Sequence, residues 1–151
     1  MELMGMRKKK SSLFKYIEQL NADRHWGRVL DAGTGAASLR WLTGLSTTSW
    51  TAVTASDHMA GQSREAIPGD MREQDRIVVG NWTDDQLLSG QVFDTVLLDY
   101  LIGAIDGFAP YWQEMVFDRL RPHVGGRIYV TGLEPYVPFP AITDAGKWCA
   151  K

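Results

Sequence analysis

An acidic residue and two glycines at positions 31, 33 and 35 have the spacing of a nucleotide-binding turn. Asp31 ends a short apolar run at residues 28–30, and Gly33, Thr34 and Gly35 precede a second apolar segment. Glycine lets the backbone approach a ligand closely, because it lacks a Cβ and tolerates a positive φ. A helix beginning after this turn would direct its free N–H groups and its positive dipole end toward an anion. These residues predict a site for a nucleotide cofactor.

A second pair of reactive side chains, Asp99 and Tyr100, follows the apolar run 93–98. A carboxylate or a phenol at such a position can accept a proton or orient a substrate through hydrogen bonds. His25, His58 and His123 stand far apart in the sequence and are expected at surface or helix-cap positions. We expect no metal site, since no spacing of His, Cys or acidic residues matches a metal-ligand pattern.

The elements that must position these residues alternate between strands and helices. The predicted strands are 28–30, 50–54, 76–79, 93–98 and 127–131, and the predicted helices are 11–21, 36–45, 57–65, a segment capped by Thr83, and 110–121. This alternation predicts right-handed crossovers and an α/β fold with a doubly wound, mostly parallel sheet of about five strands. Ligands bind such sheets at the carboxyl ends of the strands, here the first and fourth.

Composition indicates a single globular domain of 151 residues, of which 44% are hydrophobic. The net charge of −2 provides no field that would recruit nucleic acid, and no apolar run approaches the ~20 residues that cross a bilayer. The lone Cys149 excludes an internal disulfide, so we expect a cytoplasmic protein. Trp26, Trp41 and Trp50 lie beside predicted elements and are expected to be packing groups.

The run D-A-G-T-G at 31–35 resembles motif I of the class I S-adenosylmethionine-dependent methyltransferases. A dinucleotide fingerprint would need glycine or alanine where Ser38 stands, and an apolar residue at Asp31. The resemblance covers about residues 29–132 and implies a Rossmann-like core with S-adenosyl-L-methionine as cofactor. It assigns cofactor contacts to Asp31, Gly33, Thr34 and Gly35.

Two further cofactor contacts follow from this resemblance. The family places an acidic residue for the ribose hydroxyls after the second strand, and Asp57 is the carboxylate available there. A different alignment puts Thr54 at that position, and Asp57 could equally be a helix N-cap. After the third strand, Asn81 and Trp82 stand where the family contacts adenine; a structural turn with a packed Trp82 is the alternative.

Asp99 and Tyr100 match the place of motif IV, beside the transferable methyl group. The resemblance therefore implies that Asp99 contacts the cofactor and that Asp99 and Tyr100 serve catalysis, as a base or in orienting the acceptor. The run at 120–132 is similar to the segment that leads into the family's fifth strand. The pattern N/D-P-P-Y/F, typical of nucleobase or amide methylation, is absent. These features favour in-line methyl transfer to a small-molecule acceptor.

Three regions are expected along the chain. Residues 1–27 would form a basic tail, with its charges at 7–10, and an amphipathic helix; residues 28–132 would form the cofactor-binding core. Residues 133–151 are too few for the helix and antiparallel strand pair that usually complete the family's sheet. We therefore expect a fragment or a chain that pairs with a partner, with homo-oligomers forming through the exposed edge of the fifth strand.

Two other functions remain open on the sequence. A nicotinamide-dependent oxidoreductase would use the same fold, although Asp31 and Ser38 argue against it. A non-catalytic module with this fold could instead bind a protein partner through its open edge, which the divergent residues near Thr54 and Asn81 would permit.

Overall fold

Five strands form one sheet in the order β3-β2-β1-β4-β5, and every neighbouring pair is parallel. The computed structural model describes residues 12–132. The strands are β1 Arg28–Asp31, β2 Ser49–Thr54, β3 Arg76–Val79, β4 Phe93–Asp99 and β5 Val124–Thr131. The predicted parallel α/β sheet is confirmed. The strand order reverses between β1 and β4, so their carboxyl ends border the crevice where such sheets bind ligands.

Helices cover both faces of this sheet. They are α1 Ser12–Asn21, α2 Ala36–Leu42, α3 Asp57–Glu65, α4 Leu101–Ala104 and α5 Val116–Leu120, with 3-10 turns at Ile105–Gly107, Gln113–Met115 and Arg121–His123. None of the helices within residues 12–132 is long and apolar enough to cross a membrane. The basic run at 7–10, the region 133–151 and Cys149 lie outside the described residues.

Two hydrophobic clusters form because side chains alternate along each strand. On β4, Val96 and Leu98 face one cluster with α4 and α5, whereas Leu97 faces the other with α1 and α2. Phe14 of α1 stacks on Trp41 of α2 with ring centroids 4.7 Å apart. Apolar residues on both faces explain why β4 reads as an unbroken hydrophobic run.

The predicted packing role of the tryptophans is confirmed. Trp41 and Trp50 are buried, and Trp26 packs against the same cluster. The Trp41 indole N–H donates to Glu18 of α1 at 2.7 Å, which gives the buried ring the polar partner it needs. The amphipathic helix predicted at 11–21 thus lies against α2, with Phe14 and Ile17 inward.

The helix predicted after Thr83 does not form. Residues 82–90 make turns instead, and Leu88 has φ +55°. Arg119 of α5 donates to the backbone oxygens of Asp84 and Leu87, both at 2.9 Å. Thr83 Oγ1 donates to Asn81 Oδ1 at 3.0 Å, and the Asp84 side chain instead of Thr83 accepts from the following turn, at Gln86 N–H.

The helix predicted from Pro110 begins later, at Val116, and follows a 3-10 turn. Tyr111 has φ +63°, a left-handed conformation that no α-helix contains. The histidine prediction is also wrong in one case. His123 is buried, with Nδ1 2.8 Å from the Gln91 carbonyl oxygen and Nε2 2.9 Å from Arg119 Nη1, whereas His25 and His58 are exposed.

Candidate functional site: a cleft at the carboxyl ends of the strands

Asp31 ends β1 and is completely buried at the carboxyl edge of the sheet. Its Oδ2 accepts a hydrogen bond from Ser38 Oγ at 2.8 Å. Its Oδ1 has no hydrogen-bond partner among the described residues. Most buried polar atoms in folded proteins are hydrogen-bonded, so a carboxylate oxygen without a partner marks a place for a ligand group.

Burial raises the pKa of Asp31 to about 6, because the low-dielectric surroundings disfavour its charged form. The hydrogen bond from Ser38, the nearby Thr34 hydroxyl and the Gly33 N–H lower the pKa, whereas the negative charge of Asp99 raises it. The two carboxylates therefore come close together at the tips of β1 and β4. A cationic ligand group would relieve both the desolvation of Asp31 and its repulsion with Asp99.

The loop after Asp31 is fastened to the strands on either side. Ala32 N–H donates to the Leu97 carbonyl of β4 at 2.9 Å, and Thr34 N–H donates to the Val53 carbonyl of β2 at 2.8 Å. Ser38 stands where a dinucleotide fingerprint would have glycine or alanine. Its hydroxyl accepts from Gly35 N–H at 3.0 Å and donates to Asp31. Ser38 thus ties the start of α2 to the end of β1.

The two glycines of the loop, Gly33 and Gly35, do not use the positive φ that glycine tolerates. Neither Gly33 nor Gly35 is among the described glycines with that conformation. A Cβ at Gly33 would lie 2.7 Å from Leu101 Cδ1, whereas a Cβ at Gly35 would meet nothing within 4 Å. Gly33 is therefore needed for a close approach by Leu101, and Gly35 is the extended residue from which α2 begins.

A cleft opens beside this loop. Its walls come from the β1, β2 and β3 ends and from α4 with the turn after it: Ala32, Gly33, Thr34, Val53, Thr54, Ala55, Met59, Gly80, Asn81, Trp82, Leu101, Ala104, Ile105 and Phe108. Small-molecule sites have mostly apolar walls with a few polar groups. The lining of this cleft has that character.

Two buried hydroxyls in the cleft wall lack hydrogen-bond partners among the described residues. They are Thr34 Oγ1, in the loop after β1, and Thr54 Oγ1, at the end of the neighbouring β2, and both side chains are buried. A hydroxyl can donate one hydrogen bond and accept two. The cleft therefore offers a ligand two neutral polar contacts beside its apolar surface.

Asp57, one of the two ribose candidates, is exposed and is not part of the cleft wall. It is the first residue of α3 rather than the N-cap. Ser56 caps that helix, with its side chain accepting from Met59 N–H at 3.3 Å. Of the two positions considered from the sequence, the structure brings Thr54 into the cleft.

Asn81 and Trp82, the candidate adenine contacts, both line the cleft. The Trp82 ring is buried, and its indole N–H donates to the Ala32 carbonyl at 2.6 Å. Asn81 Oδ1 accepts from Thr83 N–H and Thr83 Oγ1, both at 3.0 Å, and its Nδ2 donates to the Phe108 carbonyl at 3.2 Å. Both side chains therefore already have partners in the protein.

Asp99 and Tyr100 lie at the tip of β4 and, like Asp31 at the tip of β1, are not part of the cleft wall. Thr131 Oγ1 donates to Asp99 Oδ1 at 2.6 Å and accepts from Tyr100 N–H at 3.1 Å, so one hydroxyl fixes both residues. Tyr100 has φ +53°, which is uncommon for a bulky residue. No group of three or more metal-ligating side chains occurs within residues 12–132.

The sequence reasoning missed the apolar half of the cleft. Leu101, Ala104, Ile105 and Phe108 recur at the i, i+3, i+4, i+7 spacing of one helix face. That periodicity directly after Asp99 was the available signal. It predicts a buried face without showing whether protein or ligand covers it.

Comparisons with solved structures identify the fold. The chain superposes on the plantazolicin methyltransferase BpumL in complex with SAH, with TM-score 0.59, 15% identity and coverage of 80% of this chain and 44% of that one. It also superposes on the glycopeptide N-methyltransferase MtfA complexed with S-adenosyl-L-methionine, with TM-score 0.58, 19% identity and coverage of 83% of this chain and 55% of that one. For TrmN from Thermus thermophilus the TM-score is 0.56 and the identity 23%, with coverage of 82% of this chain and 38% of that one.

This chain therefore has the Rossmann-like fold of class I S-adenosylmethionine-dependent methyltransferases. It spans about half the length of the solved structures it matches first, between 44% and 55%. No protein-family model and no curated protein matches the sequence.

Proposed function

We propose that the cleft binds S-adenosyl-L-methionine and that the protein transfers the methyl group to a small-molecule acceptor. One observation carries this proposal: three buried polar atoms without described partners, Asp31 Oδ1, Thr34 Oγ1 and Thr54 Oγ1, gather at one edge of a methyltransferase-fold sheet. Leaving such atoms unpaired costs folding free energy, and a bound ligand would recover it.

The chemistry of these groups fits the proposed ligand. The apolar walls, including Met59, Ile105 and Phe108, suit the face of an adenine ring. The hydroxyls of Thr34 and Thr54 suit the ribose hydroxyls. The α-ammonium group of the methionine portion is the cation that the neighbouring Asp31 and Asp99 carboxylates would attract.

Bound there, S-adenosyl-L-methionine would supply an electrophilic methyl group on a sulfonium that leaves readily. The protein's main contribution is then to hold the two reactants in line. Asp99 and Tyr100 are our candidates for orienting the acceptor, since Thr131 fixes both at the β4 tip. A general base is needed only for an acceptor whose proton must leave, and Asp99 would accept that proton.

We also propose self-association through β5, the outer strand of the sheet within residues 12–132. Ile128 and Val130 of β5 are exposed. They lie on the same face of the sheet as Val96 and Leu98 of β4, which α4 and α5 cover. An open strand edge is a template for pairing with another strand. Sedimentation of the full chain over a range of concentrations tests this: a dimer that dissociates on dilution is expected, and a monomer throughout contradicts it.

Isothermal titration calorimetry tests the cofactor proposal. We expect heat on titrating S-adenosylmethionine and its demethylated product S-adenosylhomocysteine, and none on titrating NAD. A protein that binds NAD but does not bind S-adenosylhomocysteine would support the oxidoreductase alternative. Binding of neither nucleotide by a protein with a cooperative thermal transition would contradict the proposal and support a non-catalytic module.

A further inference from the structure

One segment, residues 101–110, forms a wall of the cleft and has a strained residue at each end. We name it the flap. Tyr100 and Tyr111 flank it with φ +53° and +63°. The left-handed region is unfavourable for a residue with a Cβ, because that atom then lies too close to the following carbonyl oxygen. Such strain persists only where surrounding contacts enforce it, and it clusters at ligand clamps and switch regions.

The flap faces the glycine loop. Leu101, Ala104, Ile105 and Phe108 are its cleft-lining residues. Leu101 is buried against Gly33, where a Cβ would stand 2.7 Å from Leu101 Cδ1. The missing side chain at Gly33 therefore provides a seat for the first residue of the flap.

Asn81 fastens the far end of the flap from the opposite side of the cleft. Its Oδ1 accepts both hydrogen bonds from Thr83, which fixes the orientation of the side-chain amide. Its Nδ2 donates to the Phe108 carbonyl across the cleft at 3.2 Å, joining residues 27 positions apart. Asn81 and Phe108 both line the cleft, so this hydrogen bond spans the space that a ligand would leave.

We infer that Asn81 is a positioning residue that holds the flap closed over the bound ligand and slows its dissociation. It acts through Phe108, and its side chain does not need to read the ligand directly. Segments that close over a ligand often set its release rate. The inference rests on the proposed function for the identity of the ligand, although the closed flap itself belongs to the free protein.

The variant Asn81→Asp isolates this role. A carboxylate keeps the acceptor for Thr83, and so the turn, but it replaces the donor to the Phe108 carbonyl with an oxygen. Gln86→Glu is the matched control, because it adds the same charge to the same segment outside the cleft wall and also removes an amide donor, here the one that bonds Asp85 Oδ1 at 3.2 Å. We expect S-adenosylhomocysteine to dissociate about tenfold faster from Asn81→Asp, with the association rate and Tm close to those of the control.

Stopped-flow displacement of S-adenosylhomocysteine measures the dissociation rates, and hydrogen exchange of the ligand-free protein measures opening of the flap. We expect faster exchange at 101–110 in Asn81→Asp than in Gln86→Glu. Equal exchange, or equal dissociation rates, overturns the inference. A wild-type protein that binds no S-adenosylhomocysteine contradicts the proposed function instead, and the exchange experiment still decides whether Asn81 closes the flap.

Discussion

Two buried aspartates lie at opposite edges of the same sheet and have opposite surroundings. Asp75 precedes β3 at the amino-end edge, where its Oδ1 accepts from Trp50 N–H and Arg72 Nη2, both at 2.9 Å, and its Oδ2 from Arg72 Nε at 2.6 Å. Asp31 ends β1 at the carboxyl edge, with one oxygen bonded to Ser38 and the other unpaired within residues 12–132.

This contrast separates a carboxylate that builds the fold from one that we propose is kept for a ligand. Arg72 also donates to Thr47 at its carbonyl and hydroxyl oxygens, so the charge of Asp75 belongs to a completed network. Asp31 has no such cation among the described residues, and burial raises its pKa to about 6. Proteins tolerate an unfavourable buried charge mainly where function requires it.

Removing the paired carboxylate should have the largest effect on stability. Asp75→Ala leaves the Trp50 N–H and the Arg72 guanidinium without their acceptor, so the free energy of unfolding should fall by about 3 kcal/mol. Urea unfolding measures this loss. The affinity of the folded fraction for S-adenosylhomocysteine should stay unchanged, because Asp75 lies at the opposite edge of the sheet; a large loss of affinity would contradict the separation of the two edges.

Removing the unpaired carboxylate of Asp31 should have the opposite effects: stability near pH 7 is kept and affinity for S-adenosylhomocysteine falls. The folded-state pKa of Asp31, about 6, lies above the ordinary value of 3.8. The folded state therefore binds the proton more tightly than the unfolded state, and this stabilisation is fully present when the pH is below 3.8. This stabilisation is lost as pH rises through the folded-state pKa. Relative to Asp31→Asn, the wild type should therefore lose roughly 2 kcal/mol of stability between about pH 4 and pH 7.

Chemical unfolding of both proteins across this pH range gives the difference directly. Asp31→Asn should be at least as stable as the wild type near pH 7 and should bind S-adenosylhomocysteine more than tenfold less tightly. Parallel pH profiles for the two proteins would show that Asp31 is not the buried, destabilised carboxylate described above.

A branched residue at Gly33 sharpens the comparison within the cleft itself. Gly33→Val drives a Cβ into Leu101, which should cost about 1–2 kcal/mol of stability and abolish the binding heat of S-adenosylhomocysteine. Gly35→Ala is the control, because a Cβ there meets nothing within 4 Å; its stability should change by less than about 0.5 kcal/mol. Equal losses in both variants would remove the special role given to Gly33.

The smallest expected effect concerns strain at the end of the flap. Tyr111 is 95% exposed and has φ +63°, so Tyr111→Gly relieves a left-handed conformation without removing buried surface. We expect a gain of about 0.5 kcal/mol, after the entropy cost of glycine is subtracted from the relieved strain. Thermal unfolding measures it, and a clear decrease in Tm would show that Tyr111 makes stabilising contacts.

The sheet could be predicted from sequence because its signals are local. The apolar run of β4 and the acid–glycine turn after β1 each occupy only a few residues, and four strands lie within one residue of their predicted bounds. β5 differs more, since it begins at Val124, three residues before the predicted start at Arg127, and includes Gly125 and Gly126. The segment after Thr83 is held by a distant residue that no local pattern reveals: Arg119 of α5 donates to the Asp84 and Leu87 carbonyls.

The candidate site divides in the same way. Asp31 and Gly33 were found because a carboxylate and glycines in that spacing are unusual. Leu101 and Ile105 were missed because an apolar residue in a cleft wall looks in sequence like any core residue. Thr54 could be placed only by the register of β2, which pairs it with Val79 at the end of β3.

The central claim is that the unpaired oxygen of Asp31 is kept for a cationic ligand group, and NMR titration of the Asp31 carboxyl carbon tests it most directly. The free protein should give a pKa of about 6 for this group. Saturation with S-adenosylhomocysteine, which carries the α-ammonium group, should lower that pKa clearly, because an adjacent cation favours the carboxylate. A pKa that stays the same or rises in the saturated complex would contradict the account.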